Sequence, residues 1–410
     1  MAVLDELVRA CSGGARPAEP TDAVDGVAPD FVAEPRQTED VAGALRIAAV
    51  HGLRVVARGA GTKLDWGNPP EAAELVLDLS GMDGVIEHVS DDLVARARAG
   101  TTLAHLSEEI SKAGQRFPVD EVVAGSTLGG VVSTGLSGPG RFTHGGVRDV
   151  VIGATVVRAD GVVTHAGSKV VKNVAGYDLT KLFTGSYGTL GVVTEVTMKL
   201  KPMTLAQRFV VASHPTTAEM GRSLSAILRS RSAPTAIELE RPGPDEPLQL
   251  SVLIEGRPAP VEQRSAEVAA LLGSSDVRPV APPGWGVLPG PVTLKLTSVL
   301  SGVPVVVEQA GTVAREYDLP ARVAGSAGSG VLFVGLPAEV PAEALGSVLE
   351  DLRRVCGRFG GHAVLLRAPA ALKAAVDVWG PVPGLELMRR LKEQFDPGRR
   401  LAPGRFVGGI

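Results

Sequence analysis

Two glycine-rich segments in the first half of the chain limit its fold more than any other feature. The first is Arg58–Leu64, with the sequence Arg-Gly-Ala-Gly-Thr-Lys-Leu, and it directly follows a β-branched run, Arg54–Ala57, that predicts a strand. The second is Gly125–Gly146, in which eight of the 22 residues are glycine. A glycine turn after a strand leaves converging backbone N–H groups unpaired, with no side chains to block a ligand. We therefore expect these segments to form two walls of one binding site.

The residue types in the two segments indicate what such a site binds. Unpaired amides in the first segment suit a diphosphate, and the small residues of Gly125–Gly130 and Ser133–Gly135 suit close approach to a large planar ligand. A flavin dinucleotide meets both demands. A Rossmann fingerprint is excluded because its third glycine position is occupied by Leu64, and we interpret Asp78 as a turn-capping residue. An ordinary tight turn without a ligand remains an alternative for the first segment considered alone.

The composition excludes several other classes of protein. The 410 residues can form two or three domains, and a formal net charge of −4 without a persistent basic cluster argues against nucleic-acid binding. Cys11 and Cys356 are the only cysteines. They are too few for a disulfide framework or for an iron–sulfur cluster, which needs about four cysteine ligands. Electron transfer through such clusters would therefore need a second chain.

The sequence shows no targeting or membrane-spanning pattern. Met1–Glu6 is acidic and lacks the basic start and apolar run of a signal peptide. No stretch reaches the roughly 18 consecutive apolar residues of a membrane span. We expect a cytoplasmic protein whose association with the inner face of a membrane, where it occurs, is peripheral and through partners.

A shift in composition after Lys201-Pro202 predicts a first domain at residues 1–202 and a second at 203–380. A C-terminal helix and tail follow at 381–410, and we expect them to return to the first domain. In the first domain a helix with capping groups at Thr38 ends at Gly52, before the strand that leads to the first glycine segment. The other elements predicted there are strands at 75–79, 85–89, 93–98, 151–158, 161–164 and 191–200 and a helix at 103–113. This pattern is typical of an α+β arrangement around glycine-rich loops.

The second domain contains two successive β-α-β-β-α-β patterns, which imply a doubled ferredoxin-like domain. The first pattern has strands at 207–213, 235–241 and 248–255, helices at 216–231 and 260–272, and one more short strand. The second has strands at 291–299, 321–325, 330–336 and 362–367 and helices at 303–317 and 341–359. A last helix is predicted near 385–395.

Five segments of the first domain occur in the order found in a known family of flavoproteins. They are Arg58–Leu64, Gly125–Gly130, Gly145–Asp149, Val171–Leu179 and Phe183–Thr194. In this order they resemble the FAD-binding domains of the vanillyl-alcohol oxidase and p-cresol methylhydroxylase type, over about residues 30 to 200. Within that family the chain is most similar to the E-type chain of bacterial glycolate oxidase. That similarity rests on the Lys-Asn-Val-Ala-Gly-Tyr-Asp run, the Gly-Ser-Tyr-Gly-Thr-Leu-Gly run and the C-terminal Asp-Pro-Gly and Pro-Gly-Arg sequences.

The resemblance implies a two-subdomain FAD-binding domain of the p-cresol methylhydroxylase type, followed by the ferredoxin-like cap. The residues it implies in FAD binding are Arg58, Gly59, Ala60, Gly61, Thr62, Lys63, Leu64, Gly67, Gly125, Ser126, Thr127, Gly129, Gly130, Gly135, Arg141, Gly145, Val192 and Val193. Many relatives attach the flavin covalently through a histidine in the first glycine loop. Here Gly61 and Thr62 stand at that place, and the second loop lacks cysteine. We therefore expect non-covalent FAD.

The catalytic residues are not identified by the sequence, and four candidates remain. His362 is a candidate base or carboxylate donor, or else a histidine at the start of a strand whose ring is satisfied by backbone. Arg141 and His144 reach the flavin, or belong to a solvated loop. Lys172, with Lys169, binds the substrate carboxylate or stabilises anionic reduced flavin, or is a surface lysine. The metal-binding His-x-Gly-Asp-Gly-Asn-x-His stretch of catalytic relatives has its nearest match at residues 360–366, where a single histidine remains, so we expect no metal.

The resemblance implies an FAD-dependent oxidoreductase that oxidises 2-hydroxy acids such as glycolate or D-lactate. It would act in a complex with a second flavoprotein subunit and an iron–sulfur subunit. Two alternatives remain open: a self-sufficient FAD-dependent 2-hydroxy-acid dehydrogenase, and a non-catalytic assembly subunit with a flavin-binding fold. The substrate and the electron acceptor are not encoded in any motif of the sequence.

Overall fold

The computed structural model describes residues 2–167 and 178–410. The chain forms two compact units. The first unit consists of Met1–Leu136, Gly146–Met203 and Pro381–Ile410, and the second of Ser137–Gly145 and Thr204–Gly380. A nine-residue segment from the middle of the second glycine-rich stretch therefore belongs to a different unit from the residues on either side of it.

The helices and strands of the described residues are numbered in chain order. The strands are β1 (Ala15–Pro17), β2 (Phe31–Ala33), β3 (Val55–Arg58), β4 (Leu75–Asp78), β5 (Val85–Val89), β6 (Val94–Arg98), β7 (Gln115–Arg116), β8 (Val151–Val157), β9 (Val163–Gly167), β10 (Val192–Lys199), β11 (Lys201–Pro202), β12 (Ala206–His214), β13 (Ala236–Arg241), β14 (Leu248–Gly256), β15 (Asp276–Arg278), β16 (Val292–Thr297), β17 (Arg322–Ser326), β18 (Val331–Leu336) and β19 (Ala363–Arg367). The α-helices are α1 (Ala2–Ala10), α2 (Thr38–His51), α3 (Leu103–Ser111), α4 (Leu128–Thr134), α5 (Arg141–His144), α6 (Val147–Val150), α7 (Thr180–Phe183), α8 (Thr217–Arg229), α9 (Pro258–Leu272), α10 (Val303–Glu316), α11 (Ala342–Arg358), α12 (Ala370–Ala375) and α13 (Leu385–Phe395).

The first unit contains two main sheets. In one, with the order β1-β2-β4-β3, the strands β2 and β3 run parallel to β4, and α2 connects them. Helix α2 ends because Gly52 adopts a left-handed conformation, with φ +70°. Leu45 of α2 and Leu75 and Leu77 of β4 are buried in the same core cluster. The other sheet is antiparallel with the order β5-β6-β10-β8-β9, and α3 and α4 contribute to its core.

The second unit is built on one antiparallel sheet with the order β15-β12-β14-β13-β17-β18-β16-β19. The half formed by β12 to β15 carries α8 and α9, and the half formed by β16 to β19 carries α10 and α11. Successive side chains along each strand point to opposite faces of this sheet. One face is fully buried, and its residues, such as Val252, Leu294 and Val334, pack in the same core cluster as the helices. Both halves follow the same order of elements.

The structure confirms the mixture of helices and sheets predicted from the sequence and corrects it in two places. Residues 128–134, expected to form part of a glycine-rich loop, form helix α4, because the Thr127 hydroxyl caps it by accepting a hydrogen bond from the Gly130 N–H at 3.3 Å. The strand predicted at 161–164 begins at Val163 instead. Gly161 has a φ of +76°, and Asp160 accepts the Val162 N–H, so a turn occupies these positions.

A buried ion pair ties the C-terminal segment to the first unit. The Lys392 ammonium donates to the Asp396 carboxylate and to the backbone carbonyl oxygens of Thr189 and Leu401, each at 2.8 Å. Asp396 also accepts the Leu401 N–H at 2.7 Å. The Lys392 and Asp396 side chains are almost completely buried. This pair therefore holds the start of the tail, where Leu401 joins the core of the first sheet.

Among the helices of the described residues, none combines the length and the apolar character that crossing a membrane requires.

We expect Lys392→Met to destabilise the first unit by about 3–5 kcal/mol, because it leaves the Asp396 carboxylate buried without its cation. Urea denaturation would measure this change. Lys112→Met is the control, since Lys112 pairs with Glu109 on an exposed helix surface, and its removal should leave the unfolding midpoint unchanged. Equal midpoints for both variants would contradict a structural role for the buried pair.

Candidate functional site

A cleft in the first unit is lined by parts of both glycine-rich segments, and its empty space, including the part open to solvent, is about 760 Å³. The lining residues are Val56, Ala57, Arg58, Gly59, Ala60, Gly61, Thr62, Lys63, Leu64, Leu79, Ala99, Thr127, Gly129, Gly130, Ser133, Thr134, Tyr187, Gly188, Gly191, Val192, Val193 and Arg405.

The first wall presents unpaired backbone donors. Strand β3 ends at Arg58, whose guanidinium is held by Asp22 at 3.1 Å and Asp78 at 2.7 Å, and Asp78 also accepts the Ser80 N–H as a cap. In the four residues that follow, 59–62, no backbone N–H donates to an acceptor among the described residues. Gly61 has a φ of +74° that favours glycine. Because unpaired amides are costly unless a ligand or water accepts from them, this turn is suited to an anion.

The two walls approach each other so closely that glycine is required. A Cβ atom on Gly59 would overlap the Oγ1 atom of Thr127, and one on Gly129 would lie 2.8 Å from the Cβ of Ala99. The N–H groups of Leu128 and Gly129 donate to the carbonyl oxygens of Thr101 and Ala99, each at 2.8 Å, so the start of α4 is held beside the end of β6. Backbone contacts therefore set the width of the cleft.

Lys63 connects the two walls. Its ammonium donates to the Ser126 hydroxyl at 2.6 Å and to the Thr62 hydroxyl at 3.0 Å, and the residue is 7% exposed. Burial lowers the pKa of Lys63 to about 8, against a smaller opposite effect of Glu121. Both hydrogen-bond partners are neutral, and an ammonium has three donors. One donor and the positive charge therefore remain for an anionic ligand.

Arg405 adds a second buried cation, from the far end of the chain. Its Nη2 atom donates to the carbonyl oxygens of Leu64 and Trp66 at 2.8 Å, which fixes the end of the first glycine turn. Its Nη1 atom is buried and has no hydrogen-bond partner among the described residues. Burial lowers the pKa of Arg405, although an arginine remains protonated. This atom is a donor available to a bound molecule.

Tyr187 also lines the cleft, near enough to Arg405 for that positive charge to act on its phenol. Its backbone N–H donates to the Ser133 carbonyl at 2.8 Å, and its ring stacks on Phe406 with a centroid distance of 5.6 Å. Its φ of +56° is rare for a residue other than glycine. Burial raises the pKa of Tyr187, so the phenol stays neutral. Sequence analysis missed Tyr187 and Arg405 as site residues, although the glycines beside both positions were a usable signal.

The structure brings most of the predicted cofactor residues together. Residues 58–64, Thr127, Gly129, Gly130, Val192 and Val193 line the cleft. Gly67, Gly125, Ser126 and Gly135 lie in the first unit outside the lining, although Ser126 contacts Lys63. Arg141 and Gly145 belong to the second unit.

Those predicted catalytic candidates that the structure describes do not line this cleft. His144 and His362 belong to the second unit, as Arg141 does, and Lys172 and Lys169 lie outside the described residues. His362 is exposed, and its backbone N–H donates to the Thr297 hydroxyl at 2.9 Å. Across the part of the chain that the structure describes, no three His, Cys, Asp or Glu side chains cluster in a way that could hold a metal ion.

The model of the FAD binding domain family matches residues 29–167, which contain the first glycine turn, Lys63 and the start of α4. Three relatives are similar in sequence. Glycolate oxidase subunit GlcD of Bacillus subtilis (strain 168) is 27% identical over 92% of this chain and 89% of that protein. Glycolate oxidase subunit GlcE of Escherichia coli (strain K12) is 39% identical over 36% of this chain and 42% of that protein. D-lactate dehydrogenase of Archaeoglobus fulgidus is 31% identical over 50% of this chain and 46% of that protein.

Among solved structures, an alkyldihydroxyacetonephosphate synthase shares the fold. It superimposes with a TM-score of 0.69 over 92% of this chain and 76% of that protein, at 19% sequence identity. The cofactor of the chain is FAD, as the family match indicates. The cleft fits that group, because unpaired amides, the ammonium of Lys63 and the unpartnered Nη1 atom of Arg405 are suited to a diphosphate.

We expect Gly61→Glu to abolish FAD retention, because a carboxylate beside the unpaired amides competes with and repels the diphosphate. Gly61→Ala is the matched control, since alanine meets the same strain at a φ of +74° without the charge. The visible flavin absorbance of the purified variants, compared at equal protein concentration, measures retention. Normal absorbance in Gly61→Glu would show that the diphosphate lies elsewhere, and circular dichroism checks that both variants are folded.

We expect FAD affinity to fall as the pH rises above about 8. Above this pH Lys63 of the free protein loses its proton, and with it the positive charge that attracts the anionic diphosphate. Fluorescence titration of apoprotein with FAD between about pH 7 and pH 9.5 measures this. Lys63→Arg should remove the decline, since a guanidinium stays protonated in this range. Lys63→Met should bind about tenfold more weakly at pH 7 and show no decline. A decline of equal size in all three proteins would assign the titration to another group.

Proposed function

We propose that this chain, an FAD-dependent oxidoreductase, oxidises a small 2-hydroxy acid as the FAD-binding subunit of a glycolate-oxidase-like complex. The observation that carries the proposal is the cleft, most of whose lining lies within the matched residues 29–167. There the amides of residues 59–62, which have no acceptor among the described residues, and Lys63, together with Arg405 from the C-terminal segment, offer an anion a binding surface. The substrate class is supported by the relatives, which are named as glycolate oxidase subunits and a D-lactate dehydrogenase.

The residues of the cleft divide into two roles in this proposal. The amides of residues 59–62, with Lys63 and Arg405, hold the diphosphate, and the small residues Gly129 and Gly130 leave room for the flat ring system. When bound, FAD supplies the acceptor for a hydride from the hydroxy acid. Among the described residues, those that line the cleft include neither histidine nor cysteine, which supports non-covalent binding.

We infer that the second unit is the cap domain and that each half of its sheet is ferredoxin-like. The strand order supports this inference. If the four strands of each half are numbered 1 to 4 along the chain, β12 to β15 lie side by side in the order 4-1-3-2, and β16 to β19 lie in the reverse of that order, 2-3-1-4. Its side chains are then candidates for binding the substrate carboxylate.

A complex is supported by the names of the two glycolate oxidase relatives and by the cysteines of this chain. Cys11 and Cys356 are both buried, and burial raises the pKa of their thiols to about 12 and about 11, so they remain protonated. They are too few for an iron–sulfur cluster. An iron–sulfur subunit and a second flavoprotein subunit would carry the electrons onward.

The D-lactate dehydrogenase relative favours a second candidate, a dehydrogenase that acts without partner subunits. Anaerobic addition of glycolate or D-lactate to the purified, FAD-loaded chain separates the two. Loss of visible flavin absorbance with the chain alone supports the second candidate, and loss only after partner subunits are added supports the first. L-lactate is the stereochemical control. A colourless chain that takes up no FAD would contradict both and indicate an assembly subunit.

A further inference from the structure

The second unit holds a cation that has no counterion among the residues that the structure describes. Lys295 lies in the middle of β16, between Leu294 and Leu296, which are fully buried in the core beneath the helices. Because side chains alternate along a strand, Lys295 lies on the opposite face of the sheet. Its side chain is only partly exposed. Lys295 forms no hydrogen bond or ion pair with any described residue.

The neighbours of Lys295 on this face do not compensate its charge. It is paired with Phe333 of β18 on one side and Val364 of β19 on the other. Along β16 itself, Thr293 donates its hydroxyl to the Gly290 carbonyl, and Thr297 accepts the His362 N–H. Lys295 is therefore bordered by apolar side chains and by hydroxyl groups that already have partners.

Carboxylates on this face occur in the cross-strand register of Lys295 and in the neighbouring register. The nearest of them lie on a distant strand. Glu238 and Glu240 are on β13, three strand spacings from β16, which corresponds to roughly 14 Å. Glu240 is moreover paired with Arg322 at 2.7 Å. Neither acid is within the distance of an ion pair with Lys295.

A second cation, Arg141, lies near enough for its charge to act on the Lys295 ammonium. Burial and the positive charge of Arg141 together lower the pKa of Lys295 to about 8. Arg141 lies in α5, which the second unit holds in place: the Thr143 hydroxyl donates to the Thr235 carbonyl at 2.8 Å, and the Phe142 ring lies against Gly328. A poorly solvated ammonium near a second positive charge favours the binding of an anion.

Two further polar groups occur on this part of the sheet. The Ser326 hydroxyl, on the same face and paired in register with Val331, is buried and has no hydrogen-bond partner among the described residues. His362 comes two residues before Val364, and its ring likewise has no hydrogen bond with them. The face thus combines the Lys295 ammonium with the His362 imidazole, which are suited to a small anion. Ser326 lies two strands from β16 and is paired in register with Glu238 of β13.

We propose that Lys295, assisted by Arg141, binds the carboxylate of the substrate on this face of the second unit. The identification of the bound molecule as a 2-hydroxy acid rests on the proposed function. Lys295 donates a charge-assisted hydrogen bond to one carboxylate oxygen, and Arg141 contributes a second positive charge.

Calorimetric titration of the FAD-loaded protein with oxalate tests this proposal. Oxalate has two carboxylates and no C–H bond, so it cannot be dehydrogenated and reports binding alone. We expect Lys295→Met to weaken oxalate binding about 10- to 100-fold and Lys295→Arg to weaken it less. Lys201→Met, which removes an exposed lysine, is the control and should bind as the parent does. FAD content, measured by absorbance, should be the same in all four proteins.

Thermal unfolding gives an independent readout that does not depend on a ligand. Because Lys295 has no carboxylate partner, we expect Lys295→Met to unfold at the same or a higher temperature than the parent. A lower unfolding temperature would indicate a structural role and would overturn the proposal. Oxalate affinity within about twofold of the parent, or absence of oxalate binding to the parent itself, would also overturn it.

The test separates this proposal from the proposed function. If oxalate binds through Lys295 but neither glycolate nor D-lactate reduces the flavin, with or without partner subunits, the anion site stands and the oxidation of 2-hydroxy acids fails. If these acids reduce the flavin and Lys295→Met leaves their KM unchanged, the oxidation stands and the site is overturned.

Discussion

The close contact between two backbone segments, near Gly59 and Thr127, is the constraint on which the cofactor site depends. Gly59 cannot carry a side chain there, and Gly129 is similarly confined by Ala99. This contact brings the turn after β3 to the start of α4, so that Lys63 reaches Ser126 and the unpaired amides of residues 59–62 line the same cleft. A larger residue at either glycine would separate the walls and with them the groups that an anion requires.

Such a site is unfavourable for the empty protein, since unpaired amides and buried cations lose hydration without gaining partners. The rest of the first unit offsets this cost. Arg58 is neutralised by Asp22 and Asp78, which anchors the beginning of the turn. The buried Lys392–Asp396 pair holds the segment that follows α13. Binding of an anionic cofactor would therefore stabilise the fold as well as fill the cleft.

The two units use lysine in different surroundings. Lys63 has two hydroxyl partners and a cleft in front of it, whereas Lys295 has apolar neighbours and a second cation near enough for its charge to act on it. Both have a lowered pKa because they are poorly solvated, yet at neutral pH both remain protonated. Keeping a buried positive charge without a carboxylate partner lowers the stability of the free protein, and a role in binding an anion explains why such a residue is present. The cofactor cleft and the proposed carboxylate site have this property in common.

The sequence alone determined the longer helices and strands, because hydrophobic periodicity and capping residues act locally: α2 ends at Gly52, β3 leads into the glycine turn, and helices and strands alternate in the second unit. It also indicated the amides of residues 59–62, but it did not predict α4. Tertiary structure alone decided that Arg405 contacts Leu64, 341 residues away in sequence, and that the charge of Arg141 acts on Lys295. These pairings depend on which strands become neighbours and which residues share a face, and no local pattern encodes that choice.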